Sequence, residues 1–367
     1  MFQRIMRRAT HTLASLLPTI ALLVAVLAAI PLIIAFLGYD AGAGLRAIWN
    51  GSFGSFYSLT SGTLVRSTPL LLTGLSVALA FRAGIFNIGA EGQLLVGAAA
   101  AALVGLTLGR SAGALALVPE LLAGVLAGAL WAGIAAVLRA RFRVLEVIST
   151  ILLNFVALYL VGYLVRGPMQ EPLHIYPQSQ SLAPAARLPR ILPGSRLHAG
   201  FLIAVVVCIG FWWFMRFTAE GFRWRVVGAN PAAARSAGQI DDERTMMRAF
   251  LVSGALAGLA GAIELTGVTY ALYENLSPGY GYTGIAVALL ARLQPAAVLP
   301  SALLFGGLEA GATAMQRDAG IPSAVAAVIE AVIILVAIAV WSAPVRPTLR
   351  RTPDAPDESS PASPEQV

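Results

Sequence analysis

The stretch Phe81-Arg-Ala-Gly-Ile-Phe-Asn-Ile-Gly-Ala-Glu-Gly-Gln93 stands at the junction of two apolar segments, residues 59–80 and 85–108. Three glycines loosen its backbone: Gly84, Gly89 and Gly92. Three polar side chains lie among them: Asn87, Glu91 and Gln93. Inside a bilayer, irregular backbone persists only where it is buried in protein or lines a water-filled cavity. We therefore expect a helix broken near residues 84–93, with these polar side chains on a translocation path.

The same stretch has a second interpretation. Arg82 places its beginning close to a membrane surface, where a helix ordinarily ends. The polar side chains would then form hydrogen bonds between helices and contact no substrate. The residues alone favour the two interpretations about equally.

Composition defines the class of protein around this stretch. The 367 residues are 58% hydrophobic and only 12% charged, and the mean hydropathy is +0.78. Soluble domains carry about 25% charged residues, roughly twice this fraction. The net charge of +7 would suggest nucleic-acid binding in a soluble protein. In a membrane protein it reflects arginines in the loops that set topology, so we expect no nucleic-acid partner.

Apolar segments recur along the chain at lengths that suit a bilayer. Ten are expected: 14–37, 59–80, 85–108, 117–138, 144–165, 199–215, 246–268, 282–293, 296–314 and 321–342. Gln294-Pro295 separates the eighth from the ninth, which are short enough to be one kinked element instead. The predicted fold is an all-α, polytopic transmembrane bundle of about ten helices, with both termini cytoplasmic.

Arginine placement supports ten segments. With the N-terminus inside, 17 of the 25 basic residues fall on the cytoplasmic side and eight fall outside: Arg46, Arg66, Arg110, Arg166, Arg187, Arg190, Arg196 and Arg317. The dense clusters all lie inside, as the positive-inside rule requires. Merging the eighth and ninth segments would move the arginine-rich C-terminus outside.

The loops and ends divide the chain further. We expect a cytoplasmic N-terminus at 1–13, a transmembrane domain at 14–345 and a disordered cytoplasmic tail at 346–367, which is rich in proline, serine and acidic residues. The external loop 166–198 should cap the outer face. The cytoplasmic loop 216–246 contains Pro231-Ala-Ala-Ala-Arg-Ser-Ala-Gly238, with proline at a helix start and glycine at its end.

A second polar group lies in Glu146-Val-Ile-Ser-Thr-Ile-Leu-Leu-Asn154. Eight residues are just over two helical turns, so Glu146 and Asn154 can share one face with Thr150 between them. Such a stripe suits a bundle interior, as structural contact between helices or as a contact with substrate. Ser277-Pro-Gly-Tyr-Gly-Tyr-Thr-Gly284 is expected near the outer face, at the substrate entrance or as an interfacial tyrosine anchor.

Several chemistries are excluded by what the sequence lacks. All 25 basic residues are arginine, so no Walker A loop with its phosphate-binding lysine is present. Cys208 is the single cysteine, and we expect neither a metal site nor a catalytic residue. An intramembrane enzyme is disfavoured, because no His-Glu-x-x-His or Gly-x-Ser-x-Gly motif occurs. A purely structural scaffold would not explain the basic loop with its capped helix.

Four motifs resemble one family in order and spacing: Phe86-Asn-Ile-Gly-Ala-Glu-Gly-Gln93, Glu146–Asn154, Val227-Gly-Ala-Asn-Pro-Ala-Ala-Ala-Arg-Ser-Ala-Gly238 and Ser253-Gly-Ala-Leu-Ala-Gly-Leu-Ala-Gly261. This is the branched-chain amino acid/ribose-type permease family of bacterial ABC importers. The first motif is similar to the nucleoside and simple-sugar branch, in its longer permease type. The resemblance covers roughly residues 60–340.

The resemblance implies a transport subunit without enzymatic activity or a cofactor of its own. ATP and magnesium would bind a separate cytoplasmic ATPase, which docks on a coupling helix at Asn230–Gly238. The residues matching this coupling loop are Gly228, Asn230, Pro231, Ala234, Arg235 and Gly238. The other implied partners are a second, unlike permease and a solute-binding lipoprotein or periplasmic protein. The implied location is the bacterial inner membrane.

The candidate residues of the translocation path, chosen from their polarity and placement and not from the resemblance, are Asn87, Glu91, Gln93, Glu146 and Asn154. The expected substrate is a nucleoside or a simple sugar, delivered from outside by the binding protein. The main alternative is an ion-coupled secondary transporter of a small polar solute. Such transporters favour an internal repeat with matching broken helices, and the sequence shows no second copy of the Asn87–Gln93 element.

Overall fold

The computed structural model describes residue 28 and residues 30–236 and 240–342. We number the helices from the first whose two ends both lie within these residues. They are α1 (Ala41–Ser52), α2 (Leu64–Arg82), α3 (Ala90–Ala112), α4 (Leu117–Phe142), α5 (Glu146–Arg166), α6 (Gly200–Phe217), α7 (Ala219–Ala229), α8 (Pro231–Ser236), α9 (Asp242–Glu264), α10 (Tyr280–Leu290), α11 (Pro295–Ala319) and α12 (Ala324–Ser342). A π-helical turn, Ser58–Thr63, leads into α2, and another, Leu265–Thr269, extends α9.

Seven of these elements are long and apolar enough to cross a membrane, and two shorter apolar helices accompany them. Nine of the ten predicted segments therefore correspond to a described helix. The prediction for 14–37 lies largely outside the described residues, of which 30–36 are helical. The eighth and ninth segments are separate, because α10 ends at Leu290 and α11 begins at Pro295. The predicted all-α polytopic bundle is confirmed.

Helix α1 was not predicted. Asp40 caps it by accepting hydrogen bonds from the backbone N–H groups of Gly42 and Ala43, at 2.8 and 3.1 Å. At twelve residues it is too short to span a bilayer and carries no strongly apolar run. It packs against α11. Tertiary contact and a capping carboxylate, rather than hydropathy, stabilise this helix.

Helix α9 lies at the centre of the bundle and packs against α2, α3 and α4. Its close approach to α3 and α4 depends on small residues. A Cβ atom on Gly258 would collide with the backbone of Gly124 and Gly128 in α4, and one on Gly97 in α3 would collide with Gly258. Small residues that let backbones touch are a principal means of helix association in membranes.

Two non-helical stretches interrupt the bundle. The first break, residues 83–89, separates α2 from α3. The second break, residues 270–279, separates the end of α9 and its π turn from α10. The first was predicted at 84–93, but α3 begins at Ala90. Glu91 and Gln93 therefore lie in its first helical turn rather than in irregular backbone.

Contacts identify the two ends of the bundle. Ion pairs and hydrogen bonds gather the arginines of α4, α7, α8 and α9 at one end, which we call the arginine-rich end. The opposite end carries Arg66, Arg196 and Arg317 around a shared cavity. Which of these ends faces the cytoplasm stays a prediction.

The second break lies deeper than the sequence suggested for Ser277–Gly284. Helix α10 has eleven residues and is about 16 Å long, half of a bilayer core of about 30 Å. Its C-terminal end lies at the arginine-rich end, where Arg82 donates to the carbonyl oxygen of Leu293 at 3.2 Å. The N-terminal end of α10 must therefore lie near the middle of the bundle, and the second break continues from there.

The loop between α5 and α6 closes over the second break. Backbone N–H groups of Ser179, Leu182 and Leu188 donate to the carbonyl oxygens of Leu272, Tyr270 and Thr266, at 2.7, 2.8 and 2.9 Å. This loop is thus fastened to the break by backbone hydrogen bonds. The ranges predicted for the N-terminus (1–13) and the tail (346–367) lie outside the described residues.

Candidate functional site

The first break is held by a pair of amides. Asn87 and Gln93 exchange two hydrogen bonds of 3.0 Å, each donating to the other's carbonyl oxygen. Asn87 also donates to the Ser253 hydroxyl of α9 at 2.8 Å and accepts from the Gly89 backbone N–H at 2.9 Å. An asparagine side chain has two donors and two acceptor sites, and all four are occupied here. Asn87 is fully buried, so its amide stabilises the break and has no free group for a solute.

Ser253 carries this network into the centre of the bundle. Its hydroxyl donates to the Ser76 carbonyl oxygen of α2 at 2.9 Å, and the Ser76 hydroxyl donates to the Ser253 carbonyl oxygen at 2.7 Å. The sequence analysis quoted Ser253 only as part of a family motif and did not select Ser76. A serine within an otherwise apolar helix is a weak signal, since it can bond within its own helix.

Asn154 fastens the first break to α5. Its side-chain N–H groups donate to the Ile88 carbonyl oxygen at 2.9 Å and to the Tyr282 hydroxyl at 3.3 Å, while its oxygen accepts from Gly92 N–H at 2.8 Å. Asn154 is 2% exposed. Asn87, Gln93 and Asn154 thus lie together, and their hydrogen bonds join helices; their place on a translocation path stays a prediction.

Glu91 joins the two breaks. Its carboxylate accepts a 2.7 Å hydrogen bond from the backbone N–H of Gly281, at the start of α10. Gly281 has no room for a side chain, because a Cβ atom there would collide with the backbone of Glu91. Glu91 is 7% exposed. The first turn of α3 therefore contacts the first turn of α10 directly.

Glu146 lies apart from these residues. It forms an ion pair with Arg139 of α4 at 2.9 Å, at the arginine-rich end. Arg139 also contacts the Met246 sulfur of α9 at 3.3 Å. Thr150 and Asn154 face the first break, but the shared face predicted from the eight-residue spacing does not bring Glu146 to it. Glu146 and Arg139 instead tie α4 to α5 at the arginine-rich end.

Two aromatic side chains near the breaks remain exposed, Phe86 at 54% and Tyr282 at 45%. Phe86 packs edge-on against Phe81, with 5.2 Å between the ring centroids, while the neighbouring Asn87 is fully buried. The Tyr282 hydroxyl contacts Asn154, which connects it to the same break. Sequence reasoning missed Phe86 as a site residue and gave Tyr282 no contact, because exposure within an apolar segment is set by tertiary packing.

The loop between α6 and α9 contacts the first break. A Cβ atom on Gly228 would collide with the carbonyl oxygen of Arg82 and lie 2.9 Å from the Gly84 nitrogen. Gly84 itself has a φ of +79°, a conformation that favours glycine. Backbone therefore packs on backbone, without side chains between the loop and the break.

Local capping shapes this loop. The Thr218 hydroxyl accepts from Gly221 N–H at the start of α7, and the side-chain oxygen of Asn230 accepts from Ala233 N–H at the start of α8, both at 3.0 Å. Pro231 occupies the first position of α8, where its missing N–H costs nothing.

Ion pairs connect the loop to the bundle. Arg235 pairs with Asp242 at the start of α9, at 2.9 Å, and Ala234 is buried. Glu220 pairs with Arg223 and Arg248 at 2.8 and 3.0 Å. Burial raises the pKa of Glu220, but hydrogen bonds from both arginines outweigh this and hold the pKa below its usual value. Gly238, the predicted end of the coupling helix, lies outside the described residues.

No group of three or more histidine, cysteine, aspartate or glutamate residues suited to a metal ion occurs in the described part of the chain. The sequence comparisons add a family to this geometry. The family described as branched-chain amino acid transport system / permease component matches residues 59–338. The chain belongs to this family.

Curated relatives of this permease span nearly its whole length. It is 40% identical over 333 residues to the guanosine ABC transporter permease protein NupP of Bacillus subtilis, covering 90% of this chain and 93% of that protein. It is 41% identical to the glucose ABC transporter permease protein TsgB13 of Haloferax volcanii, covering 77% and 76%. It is 32% identical to the nucleoside ABC transporter permease protein NupB of Lactococcus lactis, covering 87% and 89%. No solved structure matches the permease.

Proposed function

We propose that this permease forms half of the membrane pathway of an ABC importer for nucleosides, with simple sugars as the second candidate class. Its partners are a second, unlike permease, a cytoplasmic ATPase that binds ATP and magnesium, and an extracytoplasmic solute-binding protein. The arginine-rich end faces the cytoplasm of a bacterial inner membrane. The relatives that carry nucleosides or glucose support this proposal, as does the absence of lysine from the chain.

The observation that carries the proposal is the backbone contact between Gly228 and the first break. The loop of α7 and α8 is the part of the arginine-rich end most suited to receive an ATPase, because α8 is short, capped and tied to α9 by Arg235. A displacement of the loop reaches Arg82–Gly84 without an intervening flexible side chain. The break can thus respond to the loop as one rigid unit.

The same displacement reaches the second break through Glu91. Since Glu91 holds the start of α10, moving α3 also moves the short helix and the segment above it. The second break is covered from the opposite side by the loop of residues 167–199. We infer that one movement both opens the pathway toward the cytoplasm and closes the loop of residues 167–199 over the second break. Alternating access requires this coupling.

Substrate contact is assigned to Phe86 and Tyr282 rather than to the buried amides. The amides of Asn87, Gln93 and Asn154 are engaged in hydrogen bonds and almost fully buried. Phe86 and Tyr282 are exposed beside the breaks and offer aromatic faces, which suit the flat base of a nucleoside better than a free sugar. This observation favours nucleosides over sugars.

The test is purification through this subunit in mild detergent, followed by mass spectrometry and uptake of guanosine, uridine and glucose by the reconstituted complex. We expect an ATPase and an unlike permease to co-purify and the nucleosides to be taken up. Phe86→Ala and Tyr282→Ala should each lower nucleoside uptake about tenfold, a change of about 1.4 kcal/mol. The matched control is Phe36→Ala, which removes a side chain that is 90% exposed and distant in sequence from both breaks. Recovery of the chain alone, under conditions that preserve a known ABC complex, would favour an ion-coupled transporter.

A further inference from the structure

Three arginines converge on one cavity at the arginine-rich end. Arg82 from the end of α2, Arg216 from the last turn of α6 and Arg225 from α7 line a space of about 360 Å³. Trp212 and Met215 of α6 complete much of its wall. No carboxylate lines this cavity, so three positive charges face it without an opposing charge.

Three other arginines of this region differ from these in having carboxylate partners. Arg223 and Arg248 share Glu220, and Arg235 pairs with Asp242. Among the residues that the structure describes, none of the three cavity arginines has a carboxylate within ion-pair distance. The arginines of the loop are therefore divided into a neutralised set and a set that faces the cavity.

Hydrogen bonding within the described residues also leaves the positive charges of Arg82 and Arg225 without a negative partner. Arg82 donates to the carbonyl oxygen of Leu293 and to the side-chain oxygen of Gln294, at 3.2 and 2.9 Å, and both acceptors are neutral. The Nε atom of Arg225 is buried and has no hydrogen-bond partner in the described part of the chain. A buried donor without an acceptor is rare in proteins, so Arg225 has hydrogen-bonding capacity that the described residues do not use.

The orientation proposed above places the cavity near the cytoplasmic surface of the membrane, where phospholipid headgroups meet the protein. Trp212 and Arg216 are four residues apart and so lie on the same face of α6, with the exposed indole one turn deeper in the membrane. Tryptophan at this depth is typical of the interface between hydrocarbon and water. Only 22% of the residues of α6 are buried inside the chain, so this helix presents most of its surface outward.

We propose that Arg82, Arg216 and Arg225 form a binding site for a phosphate group, supplied by an anionic phospholipid of the adjoining leaflet. Arginine suits this ligand because its planar guanidinium donates two parallel hydrogen bonds to phosphate oxygens. Basic pockets between transmembrane helices on the cytoplasmic side are a known means of binding lipid headgroups. The apolar wall of Trp212 and Met215 would contact the upper part of an acyl chain. Since Arg82 directly precedes the first break, a bound lipid would steady the hinge on which the loop acts.

The experiment compares the intact complex in nanodiscs of phosphatidylcholine with nanodiscs containing 30 mole per cent phosphatidylglycerol, about a third of the lipid. The variant Arg216→Gln/Arg225→Gln spares Arg82, which bonds its own neighbours. The control Arg141→Gln/Arg244→Gln removes the same charge from exposed side chains outside the cavity. Native mass spectrometry counts retained phosphatidylglycerol, and thermal unfolding reports its effect on the complex. Arg216→Gln alone serves as a second variant, because Arg216 is exposed.

We expect the unmodified complex and the control to retain phosphatidylglycerol and to unfold at a higher temperature with it. The double variant should retain at least about fivefold less and lose the temperature shift, with Arg216→Gln intermediate. If inorganic phosphate at 10 mM, roughly a cellular concentration, gives the same Arg-dependent shift without lipid retention, the phosphate site stands and its ligand is soluble. Equal lipid retention in all variants and no response to phosphate would overturn the proposal. Loss of the ATPase from the double variant, with lipid retention unchanged, would also overturn it and assign the arginines to ATPase docking.

Discussion

The two breaks in the bundle are fastened in different ways. The first, residues 83–89, is held from inside by amide side chains and from the arginine-rich end by the backbone of Gly228. The second, residues 270–279, is held from the opposite end by the backbone of a surface loop. Glu91 is the described contact that joins the first helical turns beyond each break. The difference indicates that the first break receives motion as a rigid body and that the second can be uncovered by displacing a loop.

The contact between Gly228 and the first break gives the largest expected effect. Gly228→Ala places a Cβ atom against the Arg82 carbonyl, so loop and break must separate. We expect uptake to fall at least about tenfold, which corresponds to 1.4 kcal/mol or more, while the ATPase still hydrolyses ATP. Gly210→Ala is the control, since its Cβ would meet no atom within 4 Å. Coupled transport in Gly228→Ala would show that the loop does not act through this contact.

The amide network of the first break comes next. Asn87→Ala removes four hydrogen bonds and leaves Gln93 with unpaired buried groups. We expect a loss of about 1–3 kcal/mol in the free energy of unfolding, measured in detergent by denaturant titration. Asn50→Ala, at an exposed position, should change it by less than about 0.5 kcal/mol. Equal stability of the two variants would mean that the first break is not held from inside.

The contact between Glu91 and Gly281 can be tested with two substitutions of different severity. Glu91→Ala removes the acceptor for Gly281 N–H and should lower uptake about tenfold, because a buried donor loses its partner. Glu91→Gln keeps an acceptor oxygen and should stay within about threefold of the original rate. Glu243→Ala, an exposed carboxylate of the loop region, is the control. If both Glu91 variants transport normally, the two breaks move independently.

The smallest expected effect depends on pH and concerns the loop between α5 and α6, which closes over the second break. His198 is buried against Gly267 of the π turn that precedes the second break. Burial, and secondarily the charge of Arg196, lowers the pKa of His198 to about 4. Below pH 6.5 the unfolded chain binds a proton that the folded chain excludes, so stability falls as pH drops from about 6.5 toward 4.

Thermal unfolding at pH 7 and pH 5.5 should therefore show a loss of about 1 kcal/mol that is absent in His198→Leu. His174→Asn, which changes an exposed histidine of the same loop, should keep the loss. An identical pH dependence of the unmodified protein and both variants would show that neutral His198 does not stabilise the loop over the second break.

The sequence predicted the first break far better than the second. Glycines and amides in an apolar context signal irregular backbone at membrane depth, and the structure places Asn87, Gln93 and Asn154 together. The second break contains tyrosine, asparagine, serine and proline, a composition shared by any surface loop. Its depth follows from the shortness of α10 and from the hydrogen bond between Gly281 and Glu91. These two residues are 190 positions apart in the sequence. Local composition cannot express such a contact.

Single residues show the same limit. Glu146 and Asn154 satisfy the helical spacing, but spacing does not reveal that Glu146 pairs with Arg139 at the arginine-rich end. The role of Gly228 was proposed from its position in a family motif, and the structure adds that its backbone contacts Arg82 and Gly84. The exposure of Phe86 became visible only with the packing around the break. The sequence patterns thus predicted that the first break is irregular, but not which of its side chains are exposed.

The long sequence separations in the network around Asn87 have a consequence for biosynthesis. Asn87 pairs with Ser253, which is 166 residues further along the chain. At about 5–20 residues per second, a ribosome needs about 8–33 s to make the second partner after the first has emerged. During that interval α2 and α3 have left the ribosome with an unsealed polar break between them. The insertion machinery must shelter this hairpin from lipid until α9 arrives, so the permease can complete its central packing only late in its own synthesis.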